Sequence, residues 1–245
     1  MKRHAAAVVL VAAMFIALAA RLEAAPQDLT MKLDGVGSVS APLQIVLVLT
    51  LLSFLPAVLV IMTSFTRIVI VLHFLRQAIG SQDMPPNQVI VGLTLFLTAF
   101  IMAPVAERIN DRAVQPVLAG SLSIGDGITA ATPPLREFML KHTRQTDLAL
   151  FVEISKTPRP STAADLPMLV VIPAYAISEL KTGFQMGFFV FVPFLLIDLV
   201  VSTTLLSMGM LQLPPAMISL PFKLLLFVMV DGWNLIVTAV VRSFA

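Results

Sequence analysis

The chain has 245 residues, of which 58% are hydrophobic and only 12% are charged. Soluble domains are nearer half apolar and a quarter charged, so this composition, with a mean hydropathy of +0.95, indicates a membrane protein. The net charge of +2 is too small to predict a nucleic-acid partner, and the absence of cysteine excludes disulfides, thiolate metal sites and cysteine nucleophiles.

The first 25 residues have the layout of a secretory signal peptide. A basic start, Met1–His4, precedes the uncharged apolar run Ala5–Ala20. Small residues at Ala17–Ala19 and at Leu22–Ala24 both offer a cleavage site. We expect cleavage here, which leaves residues 26–41 as an N-terminal periplasmic segment; the alternative is an uncleaved signal anchor.

Residues 42–106 form the first predicted hydrophobic hairpin. Its spans are placed at Leu43–Met62 and Val89–Pro104, because a helix needs roughly 20 apolar residues to cross a bilayer. Basic residues in the connecting loop favour the cytoplasmic side, and these are Arg67, His73 and Arg76. The apolar run Ile68–Leu75 leaves open that the first helix continues beyond Met62.

Residues 107–165 are predicted to be a water-facing periplasmic segment. Between Glu107 and Asp165 there are seven basic and seven acidic residues, whereas the flanking runs are almost uncharged. Apolar side chains at spacings of three and four predict a helix over Pro134–Phe151. The sequence Pro158-Arg159-Pro160 breaks that pattern.

Residues 166–245 form the second predicted hydrophobic hairpin. Its spans lie around Phe188–Met208 and Ile218–Val240, separated by the turn Leu213-Pro214-Pro215. The apolar segment Leu166–Ser178 is too short to cross and contains two prolines, so its backbone requires cover by neighbouring protein. The predicted fold is an all-α membrane protein of kinked hairpins, with about four hydrophobic helices and a helical periplasmic segment.

Charged residues stand alone in this apolar second half, and they are Glu179, Lys181, Asp198, Lys223 and Asp231. An intramembrane charge normally pairs or faces a polar cavity. A fold-back at Pro214-Pro215 would put Asp198 and Asp231 at one level and would leave Lys223 about 12 Å from Asp198 in height. We therefore expect Lys223 to pair with a carboxylate of a neighbouring subunit; the alternative is a snorkelling or hydrated lysine.

Two short patterns in this half indicate close packing. Gly183 and Gly187 have the small-xxx-small spacing that lets helix backbones approach each other. The stretch Ser207–Pro215 combines a flexible glycine, methionines and a proline pair. Methionine is unbranched and adaptable, so it can close an irregular gap and still give way.

The sequence contains no enzyme motif. It has no Gly-x-Ser-x-Gly elbow, no Gly-Lys-Ser/Thr phosphate loop and no His-Glu-x-x-His pair, and its three histidines are scattered. We predict a protein that is not an enzyme and that has no metal or cofactor. Asp198 and Asp231 leave one functional alternative open, a proton relay.

Four stretches of the sequence are informative when they are taken together. They are Phe54-Leu55-Pro56 through Met62–Ile68, Gln82–Val89, Pro134–Met139 with Asp147–Phe151, and Leu220–Leu224 leading into Val230–Trp233. Together they resemble the FliP family of flagellar type III export-gate proteins. The resemblance runs from about residue 42 to the end of the sequence. It implies a ring of five subunits, joined by FliR and FliQ, whose helices form a staircase lifted largely out of the membrane.

The resemblance also implies roles for particular residues. Ion pairing between subunits would map onto Glu179 and Lys223, with Asp198 a possible third member. A methionine-rich constriction would map onto the turn Met208, Met210, Leu211 and Gln212. Many relatives carry consecutive methionines here, and this sequence does not. Phe138 and Phe151 are expected to pack the periplasmic part.

The expected function is a pore-forming subunit of the export gate in the bacterial inner membrane and flagellar basal body. Its expected partners are copies of itself, FliQ and FliR, other export-apparatus membrane proteins and unfolded flagellar substrates. The alternatives are an injectisome-type gate subunit, a stand-alone ion or proton transporter that uses Asp198 and Asp231, and a membrane-bound assembly factor.

Overall fold

The computed structural model describes residues 46, 49–50, 53, 56–58, 60–81, 84–155, 162, 165–210 and 212–245. The predicted signal peptide, the segment 26–41 and Leu211 lie outside these residues. The chain divides into two compact units, Met1–Pro56 and Ala57–Ala245, and the helices below all belong to the second unit. The predicted division of the chain at 42, 107 and 166 stays a prediction.

The described part of the second unit is helical and contains no strand, which confirms the all-α fold class. The helices are α1 (Phe65–Ile79), α2 (Asn87–Ile109), a π-helical turn (Asn110–Val114), α3 (Gln115–Leu118), α4 (Ile124–His142), α5 (Gln145–Ile154), α6 (Met168–Ser207), α7 (Pro215–Met229) and α8 (Gly232–Arg242).

Among the residues that the structure describes, two stretches are long and apolar enough to cross a membrane. They are Asn87–Leu118, which includes α2, and the 40-residue α6. Two bent pairs add up to two further spans: the helical stretch that ends at Met62 followed by α1, bent by 79°, and α7 followed by α8, bent by 64°. The expected number of hydrophobic segments is therefore matched, but two of the four are broken.

The structure corrects the predicted loop after the first span. Arg67, His73 and Arg76 lie within α1, not in a loop. The apolar run between them keeps helical periodicity, so the chain bends at Thr63–Ser64 and continues as helix until Gly80. Gly80 has φ 83°, a left-handed conformation that glycine adopts without steric cost and that commonly ends helices.

The predicted helix Pro134–Phe151 is wrong in its bounds. Its first part belongs to α4, which begins at Ile124, where the Ser123 hydroxyl accepts a hydrogen bond from the backbone N–H of Asp126 at 3.2 Å. Thr143 has an extended backbone, which ends α4, and α5 begins two residues later. Periodicity alone does not detect such a break when the spacing of apolar residues continues across it.

The short segment Leu166–Ser178 is also not a separate element. Most of it forms the first turns of α6, which continues through Pro173 and Pro193 to Ser207. At 1.5 Å per residue, a 40-residue helix is about 60 Å long, twice the thickness of a bilayer core. The fourth predicted span is broken at Asp231, a residue with φ 50°.

The core of the second unit is built around α1. Ile68, Val71, Leu72 and Leu75 are almost fully buried, at the spacing of one helix face. The helix α1 packs lengthwise against α6 and also contacts α2. On other parts of its surface, α6 contacts α4, α5 and α7. The long helix α6 therefore contacts four of the other helices in the unit.

Gly183 and Gly187 face α1 within the same chain. A Cβ atom added at Gly183 would lie 3.2 Å from the Ile70 side chain, and one at Gly187 would lie 2.6 Å from the Phe74 ring. The Phe74 ring also packs edge-on against Phe184, with 5.5 Å between centroids. The two glycines thus allow the close approach of α6 to α1.

The variant Gly187→Ala is expected to destabilise the protein by about 1–3 kcal/mol, because the added methyl group overlaps the base of the Phe74 side chain and forces the helices apart. Thermal unfolding of the detergent-solubilised protein, followed by circular dichroism, measures this. Gly92→Ala in α2 is the control, since nothing lies within 4 Å of its added Cβ. Equal melting temperatures for the two variants would contradict the close approach.

Candidate functional site

A buried ion pair joins α1 to α6. Arg67 Nε donates a hydrogen bond to Glu179 Oε2 at 2.9 Å, and Arg67 Nη2 donates to Glu179 Oε1. The side chains are 4% and 0% exposed, respectively. The guanidinium fork matches both carboxylate oxygens, which gives the pair directional specificity as well as charge compensation.

The other side of the same guanidinium contacts the residues after α8. Arg67 Nη1 donates to the backbone oxygen of Ser243 at 3.0 Å and to its Oγ at 2.9 Å. The guanidinium carbon lies 3.8 Å from the centroid of the Phe244 ring, a cation–π geometry. We call Arg67, Glu179, Ser243 and Phe244 the Arg67 cluster.

The face of α6 that carries Glu179 also supports two breaks in the chain. The Tyr175 hydroxyl donates to the backbone oxygen of Thr63, in the bend before α1, at 3.0 Å. The Ser178 hydroxyl accepts from the backbone N–H of Arg144 at 3.0 Å, between α4 and α5. Tyr175, Ser178 and Glu179 are all fully buried. One helical face therefore satisfies polar groups that the breaks leave without helical partners.

Aromatic rings cover the Arg67 cluster. Phe138 stacks on Phe244 with 6.2 Å between centroids and meets Tyr175 at 6.1 Å. His142 packs against both phenylalanines, at 4.9 and 5.1 Å. Burial, followed by the positive charges of Arg67 and Lys141, lowers the pKa of His142 to about 4. The imidazole is therefore neutral near neutral pH.

A second, partly buried charge pair joins α6 to α7. Lys223 Nζ lies 2.6 Å from Asp198 Oδ2, and the Ser219 hydroxyl donates to Asp198 Oδ1 at 2.6 Å. Ser219 and Lys223 are four residues apart on one face of α7 and are buried, whereas the Asp198 side chain is 36% exposed. We call these three residues the Asp198 triad.

The expectation that Lys223 lacks an acid in its own chain is wrong. Asp198 lies nine residues before Ser207, the last residue of α6, and Lys223 lies eight residues after Pro215, the first residue of α7. At 1.5 Å per residue the two levels differ by about 1.5 Å. The estimate of 12 Å counted the turn residues 208–214 as helical rise, which they do not contribute.

Lys223 also lies against the end of α1. Its Nζ atom is 3.5 Å from the position that a Cβ atom would occupy at Gly80. The last turn of a helix carries partial negative charge on its free carbonyl groups, which stabilises a nearby ammonium. Lys223 therefore links the α6–α7 pair to the carboxyl end of α1.

Asp231 does not share the level of Asp198, contrary to expectation. It lies beyond Met229, the last residue of α7, at the bend to α8. Its Oδ2 atom accepts a hydrogen bond from Asn234 Nδ2 at 3.1 Å. Two acids at different heights, each with its own partner, give no continuous relay.

The predicted constriction residues lie in the turn between α6 and α7. Met208 is 66% exposed and Met210 is 43% exposed, and Gln212 is exposed as well. Gly209 has φ 74°, which lets the chain reverse here. Phe138 and Phe151 were expected to pack the periplasmic part of the protein. Phe138 is buried among the aromatic rings described above, and Phe151 of α5 packs against the core. The pore role of the turn stays a prediction.

Within the ranges that the structure describes, no three His, Asp or Glu side chains lie close enough together to hold a metal ion. The sites there are two polar clusters that hold helices together. The sequence interpretation missed Arg67 because it assigned this residue to a cytoplasmic loop. Lone opposite charges in two apolar runs, Arg67 and Glu179, were the signal that could have revealed the pair.

The variant Arg67→Met is expected to lose about 3–5 kcal/mol of stability, because it leaves the Glu179 carboxylate buried without its cation. The double variant R67M/E179M should be more stable than either single variant, since it removes both charges. Chemical denaturation in detergent measures the three values. Arg108→Met is the control, because the Arg108–Glu137 pair is exposed and should contribute about 0–1 kcal/mol. Additive losses in R67M/E179M would contradict the pairing.

Acid is expected to weaken the aromatic cover. Between pH 6.5, the ordinary pKa of histidine, and about 4, the unfolded chain binds a proton at His142 that the folded chain does not. The free energy of unfolding therefore falls as the pH is lowered through this window. The variant His142→Phe keeps an aromatic ring and lacks this proton, so its melting temperature should fall less than that of the wild type, by a few degrees. Melting temperatures that fall equally with pH in His142→Phe and in the wild type would contradict this effect of His142.

Comparison with known proteins supports one family. The sequence model described as the FliP family matches residues 48–240. The chain is 54% identical over 207 residues to the flagellar biosynthetic protein FliP of Bacillus subtilis (strain 168), covering 84% of this chain and 94% of that protein. Proteins of the same name from Pectobacterium carotovorum subsp. carotovorum and Caulobacter vibrioides are 52% and 51% identical, covering 86% of this chain and 82% and 79% of their own lengths. This chain belongs to the FliP family.

Proposed function

We propose that this chain is a pore-forming subunit of the flagellar type III protein export gate, required for export of flagellar proteins and for flagellum assembly. The family membership supports a role in flagellar biosynthesis, and the names of the relatives favour the flagellar system over an injectisome. The subunit acts without catalysis or a cofactor, and other components supply the energy for export.

The observation that carries this proposal is the uncovered apolar surface of α6. Only 11% of its most apolar 18-residue stretch is buried within the chain, and exposed large apolar side chains occur from Leu169 near the start of the helix to Leu206 near its end, over a helix about 60 Å long. A bilayer core is about 30 Å thick, so lipid covers at most half of this surface. The remainder requires protein, and sister copies, FliQ and FliR are the partners that the family resemblance implies.

The polar helices indicate which half of α6 stands outside the bilayer. The helices α4 and α5 pack against α6 and carry six of the 14 charged residues of the segment 107–165. The buried polar residues Tyr175 and Ser178 lie in the first third of α6 and bind the chain breaks next to α1, α4 and α5. We propose that this end of α6 projects into the periplasm from the inner membrane, within a ring of about five subunits.

Ion pairing between subunits by Glu179, Lys223 and Asp198 remains a prediction. Within one chain, Glu179 pairs with Arg67 and Lys223 pairs with Asp198. Glu179 and Lys223 are buried, and the Asp198 carboxylate keeps exposed surface. Asp198 is therefore the member of the set that is best placed to meet a cation of a sister copy.

The exposed turn supports the position of the resting seal. Met208, Met210 and Gln212 project from a tight reversal at the end of two long apolar helices. Several copies of such a turn around one axis would form an adaptable apolar constriction, because methionine side chains repack at little cost. We propose that this turn, with Leu211, closes the pore at rest.

The double variant M210G/L211G is expected to make cells leak small ions and dyes, because glycine removes the side chains that close the pore. Dye uptake by cells that carry the variant as their only copy measures the leak, and secreted flagellar protein measures export. Met229→Gly is the matched control, since Met229 is an exposed methionine at the opposite end of α7. Dye uptake equal to that of wild-type cells would overturn the proposed seal.

A further inference from the structure

Two opposite charges of the apolar helices have no ion-pair partner in their own chain. Within the part of the chain that the structure describes, Arg76 of α1 makes no hydrogen bond or ion pair through its side chain, although it is half-buried. Asp231, before α8, is exposed, and among the described residues its carboxylate accepts a hydrogen bond only from Asn234. Lipid is a poor neighbour for an isolated charge, so both residues require a further polar partner.

The backbone at Asp231 indicates that its side chain has a use. Asp231 has φ 50°, a left-handed conformation that glycine adopts without steric cost and that is unfavourable for an aspartate. The exposed apolar side chains of Val230 and Trp233 lie on either side of it in the sequence. A single acid at an exposed apolar bend is the composition of a contact surface that selects its partner by charge.

The helix α1 fixes the level of Arg76 along α6. Gly183 of α6 faces Ile70 of α1. Four residues further along both helices, Gly187 faces Phe74, so the two helices run parallel with a constant offset. Arg76 follows Phe74 by two residues and therefore lies about two residues beyond the level of Gly187.

The helix α7 fixes the level of Asp231 in the same way, but it runs antiparallel to α6. Lys223 pairs with Asp198, and four residues later Phe227 packs against Phe194, with 6.4 Å between ring centroids. Asp231 follows Phe227 by four residues and therefore lies about four residues before the level of Phe194. This level is one residue, or about 1.5 Å, from that of the arginine.

The two charges lie on opposite sides of the second unit. Val71 of α1 lines an apolar groove together with Leu235 and Val240 of α8, so this side of α1 faces α8. Arg76 follows Val71 by five residues, and at about 100° per residue its side chain leaves the helix about 140° away from that of Val71. Arg76 is therefore turned away from α8 and from the bend that carries Asp231.

We propose that Arg76 of one copy forms an ion pair with Asp231 of the next copy, so that the exposed bend between α7 and α8 docks on α1 of its neighbour. Opposite charges at one level on opposite sides of a subunit suit a head-to-tail ring, because each copy then offers one charge to each neighbour. The inference rests on the proposed function in one respect, since it requires sister copies. It specifies the contact between them and is independent of the seal.

Cross-linking between introduced cysteines tests the contact, because the chain has no cysteine of its own. Copies with Arg76→Cys and copies with Asp231→Cys, carrying different tags and co-expressed in membranes, are expected to form mixed dimers with a short bismaleimide. A direct disulfide would require Cα atoms closer together than an arginine–aspartate pair places them. Either variant expressed alone should give no dimer, and dimers from one variant alone would contradict the head-to-tail arrangement.

The matched control replaces Arg76→Cys by Lys181→Cys. Lys181 is also a basic residue on an apolar helix, it is exposed, and among the described residues it has no ion pair. It lies nine residues, or about 13.5 Å, from the level of Asp231 along α6. Mixed dimers with Asp231→Cys should therefore be scarce, and a yield equal to that of Arg76→Cys would overturn the proposed register.

Charge reversal tests the pairing itself. Arg76→Asp is expected to lower the yield of purified oligomer by roughly tenfold or more, because two acids then face each other across the contact. The double variant R76D/D231R should restore the yield. An arginine that instead binds a lipid phosphate predicts no rescue, since the change at Asp231 leaves the lipid as it was, and that result would overturn the pair.

The outcomes separate this contact from the proposed function. An oligomer of normal size that gives no mixed dimer would overturn the contact and leave the export-gate subunit standing. A chain that purifies only as a monomer would overturn both. A failed dye-leak experiment with normal mixed dimers would overturn the seal alone.

Discussion

The buried pair of Arg67 and Glu179 is the constraint on which the rest of the fold depends. A charge in the interior is tolerated only with a well-oriented partner, so the pair fixes both the distance and the rotation of α1 relative to α6. Tyr175 and Ser178 lie on the same face of α6 and bind the backbone at the two neighbouring breaks. Three places along the chain are thereby tied to one stripe of α6: the bend before α1, α1 itself and the break between α4 and α5. The glycines Gly183 and Gly187 continue this association as a close, purely steric contact.

The Asp198 triad repeats the same solution further along α6. Ser219 and Lys223 occupy one face of α7 and supply a donor to each oxygen of the Asp198 carboxylate. The ammonium also lies against the end of α1 at Gly80. Apolar side chains give helices affinity for each other without much directional preference, whereas these polar contacts select one register. The two clusters therefore set the alignment of α1, α6 and α7.

Composition and hydropathy were enough to predict the helical membrane fold and the four apolar segments, and the resemblance of four sequence stretches predicted the family. They did not predict where those segments break. Thr63–Ser64 and Thr143–Arg144 carry no proline or glycine, and their backbone groups are satisfied by side chains more than 30 residues away, which local sequence patterns do not contain. The intrachain partner of Lys223 was missed because the level of a residue on a helix follows from the helix ends, and these depend on the length of the turn. Arg67 was misplaced because a basic residue next to an apolar run was assigned to a loop.

The turn of residues 208–214 has a consequence for how such a protein can change over time. Asp198 lies nine residues before the end of α6 and Lys223 lies eight residues after the start of α7, so their ion pair holds the two helices together without help from the turn. Side chains at the tip therefore contribute little to holding the subunit together, and they can be exchanged without loosening it. The lack of consecutive methionines in this sequence fits such freedom. Selection can then change the side chains of this turn independently of the helices that carry it.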